Sequence, residues 1–294
     1  MTFKAAAIQM CSGVDTARNA ADMARLVREA AANGATYIQT PEMTGALQRD
    51  RKAMRAQLCD EAGDIVVSTA RDLARELNVY LHVGSTAIAI DDPAQDGGKI
   101  ANRGLLFAPG GRQVLTYDKI HMFDVDLDNG ESWRESSAYQ AGGEARVAEL
   151  PIGKFGFAIC YDVRFPQLFR AEAMAGAEIL TVPAAFTRQT GEAHWEILLR
   201  ARAIENGAFL IAAAQGGVHE DGRETFGHSM IVDPWGKVLA SAGGSGEEII
   251  YADIDIAAVK AARQKIPNLK NAREFTLQTV SDDAKSDAAG GVAA

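Results

Sequence analysis

Short, almost wholly apolar runs alternate with longer stretches of helical spacing in both halves of the chain, and this alternation limits the fold more than any other feature. Residues 3–10 read as a first strand. Asp15 can cap a helix running to about residue 33, with Met23, Leu26, Val27 and Ala30 on one face. Residues 37–39 form a second strand, 64–77 a second helix, and 79–90 a third strand that ends at a polar turn over 91–98. Strands 102–108 and 113–117 flank Pro109-Gly110-Gly111-Arg112, a hairpin signal. The second half follows the same plan. Strands 147–150 and 155–159 form a hairpin, 166–175 a helix, 178–182 a strand, 192–205 a helix that His194-Trp195-Glu196 begins, and 209–214, 229–232, 237–242 and 249–254 further strands before a helix to about residue 264. The layout predicts an α/β fold with mixed sheets, in one domain of two sheets, rather than a βαβ barrel or a Rossmann fold. Residues 123–143 read as a long loop of the kind that carries function. The glycine pairs 110–111, 142–143 and 216–217 read as turns, and residues 282–294 as a disordered end.

Composition narrows the class. With 294 residues, 47% of them hydrophobic, the chain can bury a large core. Thirty Lys and Arg against 39 Asp and Glu leave a net charge of −9, which argues against nucleic acid or an anionic membrane as partner. Cys11, Cys59 and Cys160 are widely spaced and odd in number, so neither a disulfide framework nor a zinc pattern is expected. No run reaches the ~18 apolar residues of a membrane span, and the first residues lack the pattern of a leader. The expectation is a cytoplasmic protein. GxGxxG after a strand and GxxxxGK[ST] are both absent, and His121, His194 and His228 are scattered without metal spacing, so no zinc site is expected.

Three strand ends carry chemistry. Cys160 closes an apolar run and is followed at once by polar residues and by Pro166, which suits the first turn of a helix. A thiol at a strand-to-helix turn is exposed where the sheet ends, near amides able to hold an anion. Glu42 and Lys119 likewise follow predicted strands. If the three strands lie side by side, the side chains converge at one rim. The ammonium would then lower the thiol pKa and, with the Tyr161 backbone N–H, stabilise a tetrahedral oxyanion. The carboxylate would take the thiol proton and return it to a leaving amine, which fits C–N cleavage. Each residue alone would pass as solvated or packed. Gly227-His228-Ser229 lacks the GxSxG elbow of a serine hydrolase, and its serine leads into a strand.

Pro41-Glu42, the run from Tyr117-Asp118-Lys119 to Asp124, and Cys160-Tyr161-Asp162-Val163-Arg164-Phe165-Pro166 resemble, in order and spacing, the three signature segments of the nitrilase superfamily of carbon–nitrogen hydrolases. The resemblance covers residues 4 to about 266. It divides the chain into a hydrolase domain over 1–266 and an extension over 267–294. It implies an α-β-β-α sandwich paired into a homodimer or higher homo-oligomer, no cofactor, and a small-molecule amide as substrate. Carried over residue by residue, it implies Glu42 as general base, Lys119 as the oxyanion-stabilising cation, Cys160 as nucleophile, and Glu135 as a second glutamate orienting Lys119.

The segments after Cys160, among them Pro183-Ala184-Ala185-Phe186 and Gly227 to Gly236, are similar to the deaminated-glutathione amidase and ω-amidase group, and lean toward the former. That resemblance implies release of 2-oxoglutarate and cysteinylglycine, a metabolite-repair reaction. Glu192 stands where the group has proline, Thr187-Arg188-Gln189 is more polar than the pattern, and Val218-His219-Glu220 departs from it. Arg164, Phe186 and Thr190 match substrate-binding positions. For Arg164 the alternative is an ion pair with Asp162 or Glu172, for Phe186 a place in the core, and for Thr190 the end of a loop. Open beside the first reading are an ω-amidase on small α-keto acid amides, an N-carbamoyl amino-acid hydrolase, acyl transfer to an amine, and a non-catalytic metabolite-binding dimer.

Overall fold

The computed structural model describes residues 1–90, 98–127, 130 and 132–281; the turn expected over 91–98 and the disordered end expected over 282–294 lie almost wholly outside them. In chain order the first half forms β1 (Thr2–Gln9), α1 (Thr16–Ala32), β2 (Tyr37–Gln39), α2 (Arg51–Gln57), α3 (Ile65–Leu77), β3 (Tyr80–Ala89), β4 (Ile100–Phe107) and β5 (Gln113–Asp118). A small hairpin of β6 (Asp124–Asp126) and β7 (Ser132–Arg134) leads to a 3-10 turn over Glu135–Ser137. The second half forms β8 (Val147–Leu150), β9 (Gly153–Phe157), a 3-10 turn over Cys160–Arg164, α4 (Pro166–Met174), β10 (Ile179–Thr181), α5 (Arg188–Asn206) and β11 (Phe209–Ala212). It closes with β12 (Gly216–Val218), β13 (Glu224–Phe226), β14 (Met230–Val232), β15 (Val238–Ser241), β16 (Glu248–Asp255) and α6 (Ala257–Lys265).

The helix starts follow from their caps. Asp15 Oδ1 accepts from the Arg18 amide at 2.8 Å, and Asp64 Oδ1 from that of Val67 at 2.9 Å. Helix α2, which sequence spacing does not predict, is capped by Asp50 and buries only Met54, so it has no apolar stripe to announce it. Helix α5 starts four residues before the expected position, and His194-Trp195-Glu196 lie inside it rather than at its start. Gly191 lies inside α5 with Phe226 pressed on it: a Cβ there would sit 2.3 Å from the ring. The pair Gly216-Gly217 lies in β12 rather than in a turn, and the loop over 123–143 contains the β6–β7 hairpin.

Two six-stranded mixed sheets result, with orders β16-β1-β2-β3-β4-β5 and β8-β9-β10-β11-β14-β15. Each has three parallel strands, β1-β2-β3 or β9-β10-β11, with antiparallel neighbours on both sides. Strand alternation then sorts the side chains. Ala5, Ala7 and Tyr37 face the second sheet, where Tyr37 stacks on Phe155 at 4.7 Å, while Ala6, Ile8 and Ile38 face Met23, Val27 and Leu73 of α1 and α3. Leu168, Phe169, Trp195 and Leu199 of α4 and α5 cover the far side of the second sheet. The architecture is an α-β-β-α sandwich.

Polar groups tie the two sheets together inside this core. Gln39 Oε1 accepts from the Ala213 amide at 2.9 Å, Gln9 Oε1 accepts from that of Ser229 at 3.1 Å, and the Gly216 amide donates to Met10 O at 2.9 Å. His82 is buried between the sheets, within 2.9 Å of the Tyr37 hydroxyl and edge-on to Phe157. Burial lowers its pKa from 6.5 to about 3, so it stays neutral in the folded protein. Below pH 6.5 the unfolded chain takes up a proton that the folded protein does not, so His82 weakens stability progressively as the pH falls. Between pH 7.5 and 5.0 this costs about 2 kcal/mol. In urea unfolding at both values, His82→Gln is expected to lower stability at pH 7.5 but to lose less on acidification than the parent. Equal losses would assign the acid sensitivity elsewhere.

Candidate active site

Glu42 follows β2 on a loop whose shape depends on a close approach. A Cβ on Gly84 would sit 2.2 Å from Thr40 O and 2.3 Å from Pro183 Cβ, so only glycine lets β3 pass between the loops leaving β2 and β10. The Met43 amide donates to Ser85 Oγ at 2.9 Å, which fixes the turn beyond Glu42. Lys119 follows β5, its amide bonded to Asn102 O at 3.0 Å and its carbonyl accepting from the Gly142 amide at 2.8 Å. Cys160 opens the 3-10 turn after β9, its amide bonded to Pro183 O at 2.9 Å and its φ at +50°. A non-glycine residue in this left-handed region holds on the order of 1–3 kcal/mol of strain. The turn aims the thiol out of the sheet.

The three strands are not side by side. Glu42 and Lys119 hang from the first sheet, with two strands between theirs, and Cys160 hangs from the second. They converge because the sheets stack face to face with their parallel strands ending at one rim. There Lys119 Nζ lies 2.9 Å from Glu42 Oε1 and 2.9 Å from Glu135 Oε2, and all three side chains are largely buried. Asn102 Nδ2 donates to Glu42 Oε1 at 2.9 Å and to Glu135 Oε1 at 3.1 Å. The Ala185 amide donates to Glu42 Oε2 at 2.7 Å, and the Phe123 amide to Glu135 Oε2 at 2.7 Å. The Cys160 thiol borders the same cavity as Glu42, close enough for each to bias the other's protonation.

These contacts set the protonation states. Burial alone would raise the Glu42 carboxyl, but the Lys119 charge and the hydrogen bonds from Lys119, Cys160 and Ala185 hold it below its ordinary 4.5. Lys119, opposed by burial, is raised well above its ordinary value by Glu135 and Glu42. Burial and the Glu42 charge push the Cys160 thiol well above its ordinary 9.0, and Lys119 offsets them only in part. The ammonium thus lowers the thiol pKa as expected but is outweighed by burial and by Glu42. The resting site holds a thiol beside an ionised carboxylate that can take its proton.

A second cluster holds the nucleophile's turn against β5. Asp162, fully buried, accepts from the Ile159 amide at 2.8 Å, the Tyr117 hydroxyl at 2.8 Å and the His121 amide at 3.0 Å, and lies 2.7 Å from His121 Nδ1. The sequence marks Asp162 only as a possible partner of Arg164, and it marks neither Asn102 nor Asp162 as part of the site. Their decisive contacts are distant in sequence: Asn102 meets Glu42 from 60 residues away, and Asp162 meets Tyr117 from 45.

Glu42, Lys119, Glu135, Cys160, Tyr161, Phe186 and Thr190 line one cavity of about 580 Å³. Arg164 does not. Its guanidinium lies over the Tyr161 and Phe186 rings, 5.9 and 5.2 Å from their centroids, and 3.3 Å from His194 Nδ1. The alternative ion pair with Asp162 or Glu172 is not formed either. Among the described residues no group of three or more His, Cys, Asp or Glu is arranged to hold a metal, and no helix is long and apolar enough to cross a membrane.

Residues 4–264 match the model of the carbon–nitrogen hydrolase family. The chain belongs to that family. Within it, the chain is 41% identical to a deaminated glutathione amidase of Yersinia enterocolitica over 91% of its own length and 92% of the relative's, and 40% identical to the Homo sapiens protein of the same name over 91% and 81%. Among solved structures it superimposes on the Caenorhabditis elegans NitFhit protein with a TM-score of 0.83 and 34% identity, over 92% of this chain and 65% of that longer one. It superimposes on Saccharomyces cerevisiae Nit3 with a TM-score of 0.79 and 28% identity, over 90% and 94%. The family hydrolyses carbon–nitrogen bonds, and this member is an amidase of the nitrilase superfamily.

The carbon–nitrogen hydrolase geometry makes two predictions. Asp162→Ala strands the Tyr117 hydroxyl and the Ile159 amide in the core, so urea unfolding should show a loss of about 2–4 kcal/mol. A loss below 1 kcal/mol would mean the turn is held by other contacts. With Glu42 held low, its ionisation stabilises the fold above pH 4.5, and that stability is lost as the pH falls through the lower folded value. The acid limb of kcat/KM should accordingly fall below pH 4.5. A limb centred near pH 6 would point to another essential group.

Proposed function

We propose that the protein hydrolyses the amide of deaminated glutathione to 2-oxoglutarate and cysteinylglycine through a thioester on Cys160. The observation that carries the chemistry is the buried Glu42–Lys119–Glu135 cluster set against Cys160 in one cavity. The names of relatives 36–41% identical over about nine-tenths of the chain support the substrate. Glu42 takes the thiol proton as Cys160 Sγ bonds to the amide carbon. Lys119 Nζ and the Tyr161 N–H stabilise the resulting oxyanion, and Glu135 and Asn102 hold Lys119 and Glu42 in place. Glu42 then gives its proton to the leaving nitrogen, the C–N bond breaks, and the thioester forms. Water, deprotonated by Glu42, attacks the thioester, and collapse returns the proton to the sulfur and frees the acid. Three free thiols suit a reducing cytoplasm as the place of action. A homodimer is supported by Met174, Ile197, Ile204 and Trp235, all more than half exposed.

Incubation with deaminated glutathione should release 2-oxoglutarate, and Cys160→Ala should abolish the release. Glu42→Gln should lower kcat by at least about a thousandfold. A higher kcat/KM on an ω-amide of an α-keto acid, or on an N-carbamoyl amino acid, would overturn the substrate assignment and leave the amidase.

A further inference from the structure

The sequence places substrate-carboxylate recognition on Arg164, which stands outside the cavity, yet the cavity wall carries four other guanidiniums, those of Arg49, Arg51, Arg134 and Arg223. The β12–β13 hairpin brings Arg223 there, three residues after Val218-His219-Glu220, the run that departs from the group's pattern. The hairpin is fixed by His219, whose ring nitrogens lie 2.9 Å from Ser12 O and 2.6 Å from Thr225 Oγ1. Arg223 sits 4.8 Å over the Trp133 ring and Arg49 sits 5.2 Å over the same ring, with Arg223 enclosed and Arg49 exposed at the mouth.

The other cations of this wall are engaged. Lys119 is held by Glu42 and Glu135, Arg134 by Asp126, and Arg51 by the Ser137 hydroxyl. Among the described residues no carboxylate pairs with Arg49. Among the described residues Arg223 makes an ion pair with Asp221 alone, whose Oδ2 lies 3.5 Å from the Arg223 nitrogen, too long for a hydrogen bond, while Glu42 acts on it from farther off. Both Arg223 Nε and Asp221 Oδ2 are buried without a hydrogen-bond partner. Burial draws Arg223 below its ordinary value, with Asp221 opposing and the like charge of Arg49 adding to the shift. A largely enclosed guanidinium with a buried, open Nε–H is a costly arrangement that an incoming carboxylate relieves, because the planar fork donates to both carboxylate oxygens at once.

We propose that Arg223 and Arg49, both stacked on Trp133, form the subsite that binds the carboxylate of the substrate's acyl group and so select anionic acyl donors. The choice of acyl group rests on the function proposed above; the anion subsite does not.

The test avoids turnover. Cys160 alkylation by iodoacetamide is followed with increasing 2-oxoglutarate, or with neutral 1,5-pentanediol, and each protein's rate without protector serves as its own reference. 2-Oxoglutarate is expected to protect the parent. Arg223→Gln and Arg49→Gln should each raise the half-protecting concentration about tenfold or more, Arg223→Lys should fall between, and the diol should act on parent and variants alike. Arg49 is exposed, so its variant answers for the subsite even if Arg223→Gln misfolds. The proposal is overturned if 2-oxoglutarate gives the parent no protection, if both Gln variants keep the parent's half-protecting concentration, or if Arg164→Met alone shifts it. Failure to hydrolyse deaminated glutathione, with protection still dependent on Arg223, would remove the substrate assignment and leave the subsite.

Discussion

One ammonium between two carboxylates, nearly out of reach of water, governs the architecture around it. Three buried charges are expensive to desolvate, and a triad of this kind persists only where every remaining lone pair finds a donor. Here the donors are the Asn102 side chain and the amides of Phe123 and Ala185. They come from β4, from the loop before β6 and from the loop after β10. Satisfying the cluster therefore requires both sheets and the segment over the rim to be in place together, and burial at this rim, aided by the Glu42 charge, keeps the neighbouring thiol protonated at rest.

Stacking two sheets of the same strand order brings their parallel strands to a common rim, and the buried glutamines hold the stack in register. A glutamine pointing into an apolar interface would be a liability if the facing strand slid by one residue, because its amide would lose its backbone partners. Gln9 and Gln39 thus act as register keys, and the aromatic stack of Tyr37 on Phe155 supplies area that is indifferent to register.

The parts of the fold that could be read from the sequence are those with local causes: the helices capped by Asp15 and Asp64, the β8–β9 hairpin, and the strand ends carrying Glu42, Lys119 and Cys160. Motif spacing then identified the family, and with it Glu135. What could not be read depends on partners distant in sequence. Spacing cannot say that the strands bearing Glu42 and Cys160 lie in different sheets, nor that Gly191 is helical because Phe226 covers it. Arg223 shows the limit most clearly: the residues leading to it stood out in the sequence only as a departure from a pattern, and their meaning emerges from the hairpin they build. In the opposite sense, Arg164 follows the nucleophile closely in sequence and yet turns behind the aromatic wall.

The last long strand, β16, pairs along its full length with the first, β1, at the edge of the N-terminal sheet. A chain emerging from the ribosome therefore cannot finish its first sheet until nearly all of it has been made. Contacts spanning almost the whole sequence slow folding, and an unfinished sheet edge invites the wrong partner. They also mean that truncated products, lacking the closing strand, leave β1 without its edge partner, so quality control would meet them as open-edged intermediates rather than as functional halves.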